Sequence, residues 1–545
     1  MLTGRQAEET TTPTPTASPT TPATSPTETT PAETTTPATS PSPTTPTTTT
    51  TPETTTAAPP AEEKVVVVGV TDKITELDPA NAYDFFTWEV LSNVMAGLVT
   101  YDVNTGEIVG DLATRWEVKE DGKVWVFYLR KDAKFADGTP CTAKDVERSI
   151  KRVMEIQGDP SWLVTSFVED VKALDDYTVQ FTLKKPVGYF LAVAATVPYF
   201  PVHPNYPFDK IVADATWGGC GPYMIKEWKR DQVLVLEPNP YYYGPKPKND
   251  RVIIRFFANA QSLRLALETG EIDVAWRTLN PQDIQDLQAR GYKVVEVPGL
   301  FIRYVVVKTD VEPVNNVKVR QALAAAIDRN EIAHRVFKGT VEPLYSMVPK
   351  GMWSHVPAFK EKYGDGNIEL ARKLLMEAGY SEDNKLKIEL WYTPTHYGDT
   401  EADLAAVLKE QWERTGMIEV EVKSSEWAQY VDQLSNGQLM VSLLGWYPDY
   451  VDPDNYLYSF LHSEANKWTG TGYSNPKVDE LLDQAQILTT QEERAKLYEQ
   501  VQYILAEEAP FIPLIQGKLY VVTKPDFKGL QVSPLMFLIY SSLEP

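Results

Sequence analysis

Between residues 64 and 523, short apolar runs of strand character alternate with amphipathic helical stretches, and this interleaving confines the chain to an α/β architecture with mixed sheets. The first run, Val65 to Val68, is continuous and suits a buried strand. Further strand-like runs fall at 123–130, 177–183, 232–236, 251–257 and 301–308, then at 385–392, 418–423, 439–445 and 518–523. The helices between them have readable ends. Thr142 and Asp145 form a capping box ahead of the apolar face Val146, Ile150, Val153 and Met154. Asn316 precedes the stripe Val319, Ala322, Leu323, Ala326 and Ile327. Asn367 opens a helix that Gly379 closes, and Thr490 with Glu493 opens another that Pro510 stops. No internal repeat is visible. The stretch 446–473, rich in Tyr, Trp, Asp, Pro and Gly, shows little regular pattern, and a loop of that length is usually functional.

The first sixty residues cannot join such a core. Positions 10–60 hold 25 Thr and 13 Pro, with no aromatic residue and no Leu, Ile or Val. They bury too little apolar surface to offset ordering entropy, so residues 1–63 are expected to be a disordered, stiff tether resembling O-glycosylated stalks. The rest carries every aromatic residue. Of the net charge of −23, residues 1–63 contribute seven Glu against one Arg, leaving an acidic body that repels phosphate backbones and excludes nucleic-acid binding. No apolar run approaches the length of a membrane span. The first residues lack the apolar stretch of a signal peptide. The tether nevertheless favours a chain held outside the cytoplasm whose export signal has been removed.

Catalytic signatures are missing: there is no G-x-S-x-G, no G-x-x-x-x-G-K and no H-E-x-x-H. The five histidines, at 203, 334, 355, 396 and 462, are scattered, and neither cysteine stands at metal-ligand spacing to them, so no metal and no cofactor is expected. Cys141 and Cys220 form either one disulfide or two inert buried thiols. The acidic group Asp449, Asp452 and Asp454 lacks the glycine and terminal glutamate of a calcium loop; it leaves open a carboxylate pair of a tethered hydrolase, Asp449 with Asp452 or Asp454.

Five segments in order resemble the extracytoplasmic solute-binding proteins of ABC importers, the dipeptide/oligopeptide/nickel-binding family (solute-binding protein family 5). Leu77-Asp78-Pro79-Ala80, leading into Trp88-Glu89-Val90, is similar to its opening helix. Phe135-Ala136-Asp137-Gly138-Thr139-Pro140 continues through Thr142-Ala143-Lys144-Asp145-Val146 as its F-x-D-G-x-P-x-T-A-x-D-V turn. Gly219-Cys220-Gly221-Pro222-Tyr223 with Asn239-Pro240-Tyr241-Tyr242 resembles G-T-G-P-Y and N-P-x-Y. Val319-Arg320-Gln321-Ala322-Leu323 to Ala326-Ile327-Asp328-Arg329 matches V-R-Q-A-L-x-x-A-I-D-R. Gly445-Trp446 through Asp449-Tyr450-Val451-Asp452-Pro453-Asp454-Asn455 resembles G-W-x-x-D-Y-x-D-P-x-N. Two positions depart: Cys220 replaces the usual Thr, and the turn Thr393-Pro394-Thr395-His396-Tyr397 lacks the Arg with which dipeptide binders hold a ligand carboxylate.

The resemblance implies a two-lobed periplasmic-binding-protein type II fold with a two-strand hinge and the ligand trapped between the lobes. The first lobe takes 64–305 and 510–545, with an inserted family-specific subdomain; the second takes 306–509. It implies a monomeric, non-catalytic protein that delivers peptides to a membrane permease, with an oligosaccharide as the alternative ligand. By the same resemblance Asp449 pairs with the ligand ammonium. Trp446 and Trp427 offer flat faces to it. Phe85, Phe86 and Thr87 run alongside it as an added strand, His396 substitutes for the missing Arg, and Trp217 and Cys220 border the site.

Overall fold

Our computed structural model describes residues 63–394, 396–398 and 400–545, so the expected tether lies outside the described residues apart from Glu63. In the first half, besides the short hairpin pair Val99–Tyr101 and Ile108–Gly110, the strands are β1 (Val65–Val70), β2 (Ala113–Lys119), β3 (Val124–Leu129), β4 (Val168–Asp175), β5 (Thr178–Leu183), β6 (Tyr223–Lys229), β7 (Val233–Pro238), β8 (Arg251–Phe256) and β9 (Val274–Trp276). Then follow β10 (Lys293–Val307), β11 (Leu386–Tyr392), β12 (Ile418–Ser424), β13 (Val441–Trp446) and β14 (Phe511–Thr523). The helices that bear on the site are α1 (Phe85–Val94), α2 (Ala143–Ile156), α3 (Val317–Ala326), α4 (Ile368–Glu377), α5 (Thr400–Glu413), α6 (Trp427–Ser435), α7 (Asp454–Leu461) and α8 (Gln491–Glu508).

Each strand-like run read from the sequence is a strand, and the caps behave as expected. The Asp145 carboxylate accepts from both the Thr142 N–H and its hydroxyl at 2.8 Å. At the end of α4, Gly379 takes φ +93°, donates its N–H to the Met376 carbonyl, and lets the Tyr380 N–H reach Leu375 O at 2.9 Å. Those are the two bonds of a Schellman ending. The stretch 446–473 differs from the expected loop, because α7 occupies its middle: the Asp454 carboxylate at the helix start suits the N-terminal dipole, and Pro453 is tolerated just before it.

The main sheet runs β12-β11-β13-β10-β14-β9-β1-β8-β7-β6, with the short strand Val341–Pro343 beside β14. β1 is parallel to both β8 and β9, and β11 is parallel to β12 and β13, while β10 pairs antiparallel with β13 and β14. A second sheet, β2-β3-β5-β4, is wholly antiparallel and packs α2 against β4.

Two large hydrophobic cores lie along this sheet. The first gathers residues from Val66 to Trp276, including Trp125, Phe127 and Phe181 of the second sheet, and recovers Leu519, Val521 and the tail from Phe527 to Leu543. The second runs from Ile302 to Ile515. Among the described residues, β10 and β14 are the strands whose sheet pairing runs across the division. Their register slips between Pro298, opposite Lys518, and Ile302, opposite Gln516, so the ladder breaks where the cores part. Gly517 is needed there because a Cβ would stand 1.5 Å from the Phe301 ring, and at Gly299 a Cβ would stand 2.4 Å from the Gly517 carbonyl oxygen. The tail is tied back by Glu89 of α1, whose buried carboxyl accepts from Trp276 Nε1 (2.9 Å), the Leu538 N–H (3.0 Å) and the Tyr540 hydroxyl (2.7 Å).

Candidate functional site at the junction of the two cores

β13 leaves the second core at Trp446, and the segment after it, 447–451, crosses to the first. The strand period of two sends Trp446 inward and Tyr447 toward the junction. The Tyr447 ring stacks on Phe301 at 4.9 Å and tilts against Phe85 of α1 at 5.1 Å. Its hydroxyl accepts from Arg277 Nη1 at 3.2 Å. Arg277, just past β9, stands at φ +49° and is paired with Asp72. Farther along, Tyr450 stacks on Tyr189 at 5.5 Å, and the Val451 N–H donates to the Tyr101 hydroxyl at 3.2 Å. The Gly188 N–H reaches Gln486 O at 2.8 Å, and Gln486 Nε2 reaches the Tyr189 hydroxyl at 3.0 Å. The two cores therefore meet along an aromatic, hydrogen-bonded seam.

Asp449 sits within that seam and is fully buried. Its Oδ2 accepts from Asn455 Nδ2 at 3.2 Å, while Oδ1 has no hydrogen-bond partner. Burial pushes the carboxyl above the ordinary carboxylate range. Tyr83 of the first core, whose hydroxyl accepts from Trp162 Nε1 at 3.2 Å, stands beside the carboxylate and offers it a further, weak hydrogen bond. A buried carboxylate served only by one amide and a weakly placed phenol is costly unless a cation or stronger donor arrives from outside.

The other expected residues divide. Trp427 begins α6, and His396 stacks on it with ring centroids 3.6 Å apart and planes 1° from parallel; Tyr397 packs edge-on against both. Partial cover of the ring by Trp427, and then the nearby Arg303 guanidinium, hold the His396 imidazole below its ordinary range, although the residue as a whole is exposed. Trp446 does not offer its face: it is 4% exposed, packs on Phe460 and Trp468, and donates Nε1–H to Asn455 Oδ1 at 3.0 Å. Phe85, Phe86 and Thr87 form the first turn of α1, so they cannot run as an added strand. Asp84 caps that turn by accepting from the Thr87 N–H at 2.8 Å, and the Thr87 hydroxyl accepts from the Thr75 N–H at 3.0 Å. Of the three, Phe85 reaches the seam; Phe86 packs on Phe256. Trp217 packs on Tyr206 and not on any ring of the seam among the described residues. Cys141 and Cys220 are free thiols with sulfurs 3.1 Å apart, buried with Phe135 and Leu112 in a small separate cluster. Asp452 has both oxygens taken by Arg494, at 2.6 and 2.9 Å, and Asp454 accepts from Tyr450 and Tyr498. Neither faces an opening with Asp449 as a hydrolytic partner would. Among the described residues no group of three or more His, Cys, Asp or Glu could hold a metal ion, and no helix is long and apolar enough to cross a membrane.

Sequence reasoning missed Tyr447, Arg277, Asn455 and Arg303. Arg303 had a signal: it is the single charge inside the apolar run 301–307. Tyr447 and Asn455 lie inside the quoted motif, yet nothing in a motif tells which of its side chains turns inward.

Comparison with known proteins agrees with this architecture. The family described as "Bacterial extracellular solute-binding proteins, family 5 Middle" matches residues 107–468, well over half of the chain. The probable D,D-dipeptide-binding periplasmic protein DdpA of Escherichia coli is 28% identical over 495 residues, 88% of this chain and 93% of that protein. The dipeptide-binding protein DppE of Bacillus subtilis is 29% identical over 505 residues, 87% of this chain and 91% of that protein. The solved structure of the ABC transporter-associated periplasmic binding protein DppA from Helicobacter pylori, in complex with the peptide STSA, superposes with a TM-score of 0.76 at 26% identity, covering 88% of this chain and 98% of that one. With its two cores strung on one mixed sheet and a buried, half-satisfied acid where they meet, this chain belongs to the bacterial extracellular solute-binding proteins of family 5.

Proposed function

We propose that this chain captures short peptides with a free N-terminus between two lobes, one built on each core, and hands them as a monomer to an ABC permease. The observation that carries this reading is the unpartnered Oδ1 of Asp449, buried where the two cores meet. A peptide ammonium supplies the missing donor and the missing positive charge together, offsetting the desolvation of the carboxylate. The names of the relatives, a D,D-dipeptide binder and a dipeptide binder, and a neighbour solved with a bound peptide, support the same ligand class.

The break in the β10–β14 ladder at Gly299 and Gly517 is the hinge of this reading, because among the described residues those two strands join the lobes through the sheet. Closure about it brings the segment 447–451 against Phe85, Tyr101 and Tyr189, expels water and commits the ligand. Residues 1–63 serve as the tether that keeps the body near the membrane, as their Thr/Pro composition supports.

A thermal-shift screen with di- to tetrapeptides, their N-acetylated forms and neutral oligosaccharides tests the proposal, since a ligand bound to the folded state raises the melting temperature by mass action. Stabilisation by free peptides and not by acetylated ones is expected. Stabilisation by oligosaccharides alone would overturn it.

A further inference from the structure

Cys141 and Cys220 are the chain's two cysteines, and each is held in place by its own turn. Cys141 follows the turn 134–140: its N–H donates to the Ala133 carbonyl at 3.0 Å, one residue before the Thr142 cap of α2. Cys220 lies between two glycines pressed on the end of α1. A Cβ at Gly221 would stand 2.6 Å from Met95 N and O, and one at Gly219 would stand 2.9 Å from the Met95 side chain. Asn239 Nδ2 donates to Gly221 O at 3.0 Å. Two turns fixed independently of each other thus bring the sulfurs to 3.1 Å, a separation that small side-chain rotations close to an S–S bond of about 2.05 Å. The apolar cluster around them is thin: Ala96, Leu112, Ala133 and Phe135, with Tyr243 against them, apart from the two large cores. Cys220 is fully buried and Cys141 is 3% exposed. Where so few apolar side chains hold several segments together, a covalent link adds what burial does not supply.

We propose that Cys141 and Cys220 form a structural disulfide as the chain folds outside the cytoplasm, stapling the entry of α2 to the loop 218–221 on the end of α1. The family is extracellular, where disulfides persist. The bond forms by thiol–disulfide exchange with an incoming disulfide, carried by a small molecule or a protein oxidant. One cysteine thiolate attacks a sulfur of that disulfide and releases one thiol; the other cysteine thiolate displaces the second. Two electrons pass to the oxidant, which leaves as two thiols carrying the two cysteine protons. The Cys220 sulfhydryl, and then burial, hold the Cys141 thiol above its ordinary range, so a chain that folds reduced keeps inert thiols and the exchange belongs to folding. With no third cysteine, the chain cannot mispair within itself. The link joins residues 79 positions apart, and closing so long a loop removes freedom from the unfolded chain, which favours the folded one. The staple also steadies the site, because the same α1 carries Phe85 to its contact with Tyr447.

The test refolds the full chain from urea and reductant into a buffer of reduced and oxidised glutathione, then denatures it in iodoacetamide and reads the intact mass. A monomer two hydrogens lighter than the reduced chain is expected, taking up no alkyl group until dithiothreitol is added and two afterwards. Two alkyl groups without dithiothreitol, or a retained glutathione adduct, would overturn the proposal. The oxidised protein is expected to melt about 5 °C above the same protein refolded in dithiothreitol. The double variant Cys141→Ala, Cys220→Ala should melt with the reduced form. Equal melting of oxidised and reduced wild type would overturn the stapling role. Dithiothreitol is expected to reduce the folded oxidised protein about tenfold more slowly than the same protein in urea, because both sulfurs are enclosed. Equal rates would contradict that enclosure. The mass assay uses wild type alone, so it decides even where the double variant folds poorly.

Discussion

Asn455 holds Asp449 in place by both ends of one amide. Its Nδ2 donates to Asp449 Oδ2 at 3.2 Å, and its Oδ1 accepts from the Asp449 N–H at 2.9 Å while also receiving Trp446 Nε1 at 3.0 Å. The buried Trp446 thus acts on the site indirectly, through an asparagine in the first turn of α7. Truncation by Asn455→Ala leaves a buried indole N–H and a buried backbone N–H unsatisfied. We expect a loss of about 1–3 kcal/mol of stability in urea denaturation, accompanied by weaker peptide binding. A loss of binding without any loss of stability would mean that the indole and the backbone N–H find other acceptors.

Glu89 predicts how stability depends on pH. Burial raises its carboxyl from 4.5 to about 8, outweighing the donors from Leu538 and Tyr540. The folded protein therefore keeps a proton on this group at neutral pH that the unfolded chain has lost. Stability from this group is full below about pH 4.5 and declines as pH rises toward 8, by at most about 1.4 kcal/mol per unit. Urea titrations at pH 5, 6, 7 and 8 should show the decline in wild type. Glu89→Gln, a neutral isostere whose amide oxygen can accept from Trp276 and Leu538 while its NH2 donates to the Tyr540 hydroxyl, should flatten it.

The hinge glycine gives a steric prediction. In Gly517→Ala the new methyl meets the Phe301 ring, which must leave its stack on Tyr447. Overpacking of this kind costs about 1–3 kcal/mol. If the ring is the obstacle, Phe301→Ala combined with Gly517→Ala will cost less than the sum of the two single changes. Strict additivity in denaturation would show that Gly517 matters for another reason.

Much of the fold was legible because its signals are local. Val65 to Val68, the runs that became β11 to β13 and the boxes at Thr142 and Thr490 declare themselves through period and capping. Strands β2, β4 and β6 were not read: their exposed faces carry residues such as Arg115, Glu117, Lys172 and Glu227, which blur the alternation. The site was legible only in part. Asp449 falls in the segment between the two cores, inside the quoted motif, whereas the stack of His396 on Trp427 has no signal in the sequence. Trp446 was misread because its direction depends on β13, and Phe85 to Thr87 because the Asp84 cap that makes them helical went unrecognised. Arg303 reaches its partners Glu401 and Tyr397 across nearly a hundred residues, and no local pattern encodes that contact.

The most direct test of the account is calorimetry of wild type and Asp449→Asn with one peptide in its free and N-acetylated forms. The substitution removes the charge and nearly keeps the shape. An ammonium buried against Asp449 loses its counter-charge in the variant, at a cost of about 3–5 kcal/mol, or 100-fold or more in affinity. We expect wild type to prefer the free peptide by such a factor and Asp449→Asn to bind free and acetylated forms alike. Unchanged affinity of Asp449→Asn for the free peptide would contradict the account, reducing Asp449 to a residue that only shapes its loop.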